Sequence, residues 1–144
     1  MIRTIAGVVL GYIAMALLVF LLFSAAYLAL GTDNVFLPGS YQVSLLWVAL
    51  SIVVSFAAAL VGGYVAAAVS RGTRAALVLA CIVLILGVIV AIPALGQPDP
   101  GPRAGDVGNI AAMMSARLPS WLLFLNPVIQ AVGILVGSRL RRRT

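Results

Sequence analysis

Four long stretches of this chain contain no Asp, Glu, Lys, Arg or His. They run from Ile5 to Leu30, Val43 to Ser70, Ala75 to Leu95 and Ser120 to Ser138, and are built of Leu, Val, Ile, Ala and Phe. At 1.5 Å of rise per residue, a helix of about 20 such residues crosses a hydrocarbon layer about 30 Å thick. The pattern predicts an all-α fold, a single membrane-spanning four-helix bundle over residues 1–144. The first two stretches exceed the minimum and are expected to tilt or project. The first is read as a retained helix, since a signal h-region runs to only about 7–15 apolar residues.

Composition supports this reading. Of the 144 residues 64% are hydrophobic and 8% charged, whereas a soluble domain carries about a quarter charged residues to cover its core. Too few polar side chains remain to build a solvated surface.

The connectors follow from backbone chemistry. Gly31-Thr32-Asp33-Asn34 and Leu37-Pro38-Gly39-Ser40 end the first helix and turn the chain. Ser70-Arg71-Gly72-Thr73-Arg74 is a short turn between antiparallel helices. The run Gln97-Pro98-Asp99-Pro100-Gly101-Pro102 cannot continue a helix, because proline removes donors and restricts the residue before it. Asp106 is expected to cap a short interfacial helix through Ala111, Ala112, Met113 and Met114 that ends near Pro119. The segment from Pro102 to Asn109 is distinctive but attaches to no activity.

Arginine sets the expected orientation. The formal charge is +6, and every cation is Arg. Arg3, Arg71, Arg74, Arg139, Arg141, Arg142 and Arg143 fall on one side of the four spans. Arg103 and Arg117 fall on the other, with all three acids, Asp33, Asp99 and Asp106. Short cytoplasmic flanks are enriched in Lys and Arg, so both termini are expected in the cytoplasm, in a bacterial inner membrane. Tyr27, Tyr41, Trp47 and Trp121 are expected to gather at the outer interface. These cations flank apolar spans rather than forming a basic face with interleaved aromatics, which argues against nucleic acid as a partner.

Three seams of small residues are candidate packing or partner surfaces. Ser44, Ser51, Ser55, Ala58, Gly62 and Ala66 fall within a stripe about 80° wide at 100° per residue. Gly7 and Gly11 form one GxxxG pair, Gly133 and Gly137 another. Helices in lipid associate through such close packing, and internal packing is the expected use. Asn126 and Gln130 are the most polar side chains within a span. They are expected to act as hydrogen-bonding glue between helices, worth roughly 0.6–2 kcal/mol per bond.

Much chemistry is excluded. The chain has no His, Glu or Lys, and one lone cysteine, Cys81. A buried-glutamate drug/proton exchanger, a CxxC thiol enzyme, histidine-ligated haem and a zinc protease all lack their essential residues. The serines have no His or Lys base, and turn or cap roles account for the three Asp. No catalytic residue, cofactor or metal is expected. The sequence therefore points to a non-catalytic accessory or scaffold subunit of a larger membrane complex, with lipids and other membrane subunits as partners. The alternative is an oligomeric passive pore or carrier for a small neutral solute or lipid, lined by Ser44, Ser51, Ser55, Asn126 and Gln130. Arg139, Arg141, Arg142 and Arg143 are candidate contacts for anionic lipid.

Overall fold

The computed structural model describes residues 1–141; Arg142 and Arg143 lie outside them. Six helices follow in order: α1 (Ile2–Leu30), α2 (Thr32–Val35), α3 (Leu45–Ser70), α4 (Arg74–Leu95), α5 (Asn109–Ser115) and α6 (Ser120–Leu140). Four of them, α1, α3, α4 and α6, are long and apolar enough to cross a membrane. No strand forms among the described residues, but two isolated bridges do, Phe36 to Val43 and Gln42 to Arg117. The connectors 31–44 and 96–119 share one end of the bundle, called here the loop end. The tail end carries Met1, the end of α6 and the turn between α3 and α4.

Local chemistry sets the boundaries. Ser44 rather than Val43 opens α3: its Oγ accepts from Trp47 N at 3.2 Å, as an N-cap side chain does. Val43 stays extended to bridge Phe36. Arg71 closes α3 in the left-handed region at φ 57°, a conformation that ordinarily favours glycine. Asp106 does not cap the short helix. Gly108 does, because Val107 is held outside it: the Tyr27 hydroxyl donates to Val107 O, and Val107 N reaches Thr32 Oγ1 at 3.4 Å.

α3 is the central element, packed against α1 on one side and α6 on the other, and α6 also packs on α4. The two halves of the bundle pack differently. Near the tail end the core is made of small residues, Ala58, Ala59, Ala66, Ala75, Ala76 and Ala80, with Met15, Leu79, Val83 and Ile134 filling between them. Backbones approach closely there. A Cβ added to Gly7 would sit 2.7 Å from Ala66 O, and one on Gly11 2.7 Å from Gly62 O. At Gly63 and Gly137 the facing backbones of Ile134 and Leu60 stand closer still.

At the loop end the core is aromatic and larger: Tyr27, Val35, Phe36, Val43, Trp47 and Leu122. The rings form a chain of contacts. Phe23 and Trp47 are 5.4 Å apart, Tyr27 and Trp47 6.4 Å, Tyr27 and Phe36 6.5 Å, and Phe36 and Tyr41 5.8 Å. Tilted and edge-on pairs at such spacings are the favoured geometries for aromatic quadrupoles. The expected gathering of Tyr27, Tyr41, Trp47 and Trp121 is corrected in one respect. Tyr27 and Trp47 turn inward and are buried, while Trp121 is 54% exposed. A phenol with two internal hydrogen-bond partners has no need of an aqueous interface.

Candidate loop-end chamber

Two arginines organise the loop end. Arg103 lies beneath the segment 101–108 with its side chain only 5% exposed, and Nη2 donates to Asp33 Oδ1 at 3.0 Å. Nη1 donates to Gly105 O at 2.8 Å, and the guanidinium carbon stands 5.9 Å from the centre of the Phe36 ring. Arg103 N also donates to Gly39 O at 3.0 Å. A planar cation with five donors can join a carboxylate, a carbonyl and an aromatic face at once, which an ammonium cannot. Arg117 braces the other end of the same connector. Nη1 donates to Gln97 Oε1 at 2.5 Å and Nη2 to Pro98 O at 2.9 Å. Its backbone joins the 41–43 segment through Arg117 N to Tyr41 O and Val43 N to Arg117 O. Asp99 Oδ1 accepts from Gly101 N at 3.0 Å, the local turn role expected of it.

Beneath this cap lies a chamber of about 240 Å³. Phe23 and Tyr27 of α1, Phe36, and Trp47 of α3 line it with aromatic rings, and Ala112 and Ala116 with small side chains. No charged side chain lines it. Its polar groups are few and unevenly satisfied. Ser51 Oγ donates back to Trp47 O at 2.7 Å, the usual recourse of a hydroxyl within a helix. Asn109 Nδ2 donates to Ser24 Oγ at 2.9 Å, which ties α5 to α1. Its Oδ1 is buried and accepts nothing, and the same is true of Asn126 Oδ1 from α6. Buried carbonyl oxygens nearly always find a donor. Both residues line the one chamber.

A cleft of about 430 Å³ lies between α1 and α4. Tyr12, Met15 and Val19 line it from α1, Val83 and Gly87 from α4, and Gln130 from α6. Met113 of α5 borders both the cleft and the chamber. α1 and α4 meet near Gly7 and Ala75 and near Gly11 and Leu79. Beyond that point bulky residues replace the small ones, and the cleft opens.

The sequence-nominated residues separate into groups. Gly7 and Gly11 abut Ala66 and Gly62 of α3; Gly133 abuts Ala59 and Phe56, and Gly137 abuts Leu60. Ser55, Ala58 and Gly62 are buried on α3, so these seams lie between helices of one chain. Ser44 caps α3 and donates to Asn34 O at 2.6 Å. Asn126 and Gln130 border chamber and cleft respectively, and Asn126 Oδ1 is buried without a hydrogen-bond partner. Arg139 is exposed and Arg141 half-buried at the tail end. Reasoning from sequence missed Asn109, Arg103 and Arg117 as builders of the site. Their only signal was an amide and two cations in otherwise turn-forming connectors. Comparison of the chain with protein-family models, curated proteins and solved structures finds no match.

Proposed function

We propose that the chain is a bacterial inner-membrane protein with both termini in the cytoplasm that serves as a non-catalytic accessory or scaffold subunit of a larger membrane complex. The observation that carries this reading is the cap held by Arg103 and Arg117. Arg103 and Arg117 brace the 96–119 connector internally, and it is joined to 31–44 by the Arg103–Asp33 pair and by backbone bonds at Gly39, Tyr41 and Val43. Simple linkers between spans need no such organisation, whereas a surface that docks a partner gains affinity from being rigid beforehand. The small-residue seams are occupied within the chain, which leaves the cap and the apolar outer faces of α1 and α4 for other subunits and lipid. Arg139 and Arg141, with Arg142 and Arg143, serve orientation and attract acidic headgroups. Gentle extraction from the native membrane, followed by size analysis and mass spectrometry, tests the proposal. Stoichiometric larger proteins are the expected outcome; a species containing this chain alone defeats it.

A second reading, an assembly that carries a small neutral solute or lipid, is favoured by Asn109 and Asn126, which line the chamber and whose amide oxygens have no hydrogen-bond partner. Flux in proteoliposomes that is unchanged by Asn126→Leu and Gln130→Leu would sink it.

A further inference from the structure

The geometry points to the chamber and cleft as one binding site for a neutral, hydroxyl-bearing lipid, its headgroup between Asn109 and Asn126 and its acyl chain along Gln130 between α1 and α4. This deepens the second reading above and rests on it for the membrane setting.

The headgroup class follows from the polar atoms. An amide oxygen buried without a donor is costly, and a hydroxyl that reaches the Asn109 or Asn126 amide from the chamber offers one. An amide presents a donor and an acceptor on one fork, and a hydroxyl can answer either. Charge is disfavoured. Among the described residues the lining offers no cation or anion, and the Arg103 guanidinium stands over Phe36 and is paired with Asp33. A phosphate moved into this chamber would lose its hydration without a counter-charge.

The tail follows from the shape. About 240 Å³ holds a headgroup, since sites that enclose whole drug-sized ligands run to about 300–1,000 Å³. The adjoining cleft supplies the remainder, about 430 Å³, bordered by apolar side chains that are exposed on the outside of the bundle, among them Phe20, Leu86 and Val90. Met113 borders both spaces, and Gln130 lies one helical turn from Asn126. A small polar solute would gain nothing from the cleft. An acyl chain reaches it sideways from the bilayer.

The test uses the full chain in phosphatidylcholine nanodiscs doped with dioleoylglycerol, with native mass spectrometry counting the lipid retained. Parallel samples carry 1,2-dioleoyl-3-acetylglycerol, in which the hydroxyl is blocked, or dioleoylphosphatidic acid. The expected result is one dioleoylglycerol per chain, held about tenfold more tightly than its acetate, the scale of one lost buried hydrogen bond. Phosphatidic acid does not displace it. Asn126→Leu weakens retention about tenfold, and Ala116→Phe, which fills the chamber while keeping both amides, abolishes it. Equal retention of all three lipids overturns the proposal, as does retention indifferent to both substitutions, or a chamber that holds water alone. Retention is measured apart from flux, so a lipid bound without transport upholds the site while the carrier reading fails. The comparison among lipids is made on unaltered protein and does not depend on a variant folding.

Discussion

Arg103 and Asp33 meet at 3.0 Å across seventy residues of chain, but they share the bond unequally: the arginine side chain is 5% exposed and the aspartate 85%. The two ends of this pair should therefore respond differently to mutation. Asp33→Asn removes a solvated charge and keeps an acceptor, and exposed ion pairs are worth about 0–1 kcal/mol. Arg103→Met also removes the donor to Gly105 O and the contact with Phe36. A loss of about 1–3 kcal/mol is expected there. Unfolding of both variants in mixed micelles checks this; equal effects would show that the pair acts as a surface bridge only.

A second prediction concerns the tail half of the bundle. Gly63 faces the Ile134 backbone and Gly137 the Leu60 backbone, with no flexible side chain between. A methyl group at either site must push two helices apart. Gly63→Ala and Gly137→Ala should each destabilise by about 1–3 kcal/mol, the usual cost of overpacking. Gly72→Ala, with nothing within 4 Å of the added atom, is the control and should change stability by less than about 0.5 kcal/mol. Thermal unfolding of all three ranks them.

The chamber gives a third. Asn126 Oδ1 is buried without a donor, so replacing the amide by an apolar side chain of similar size removes a penalty rather than a bond. Lipid-free Asn126→Leu is expected to be as stable as the parent or more stable, by up to about 1 kcal/mol. A loss above about 2 kcal/mol on delipidated protein would mean that the amide holds helices together, as the sequence had suggested.

These cases show why the bundle was legible in the sequence and the site was not. Span membership depends on composition over about 20 residues, and α1, α3, α4 and α6 begin and end within three residues of the apolar boundaries. The glycine spacing also pointed to the close approaches, because helical period places Gly7 and Gly11, or Gly133 and Gly137, on one face. The loop end depends instead on single side chains reaching across the chain. Tyr27 fixes Val107, and with it the start of α5. Arg117 joins residues 97 and 98 to the 41–43 segment. No local periodicity encodes such contacts. Arg103 and Arg117 were counted as charges relevant to topology, while their guanidinium geometry was what shaped the cap. Asn109 was hidden for the same reason: its role depends on Ser24, which lies eighty-five residues away in sequence.

The proposed orientation yields the last prediction. Cys81 is the chain's one cysteine and is exposed on α4, so Cys81→Ser provides a thiol-free background. Ala104 is exposed in the loop-end segment, and Gly72 is exposed in the turn between α3 and α4 at the opposite end. A membrane-impermeant maleimide added to intact cells with a permeable outer envelope should label Ala104→Cys and spare Gly72→Cys; lysis should make both react. The expectation rests on the tail end carrying Arg3, Arg71, Arg74, Arg139 and Arg141 and no acid among the described residues, and on the excess of cations that short cytoplasmic flanks show. The reverse pattern would place the Arg103 and Arg117 cap in the cytoplasm. The docking surface would then face cytoplasmic partners, and the chamber would draw its lipid from the inner leaflet.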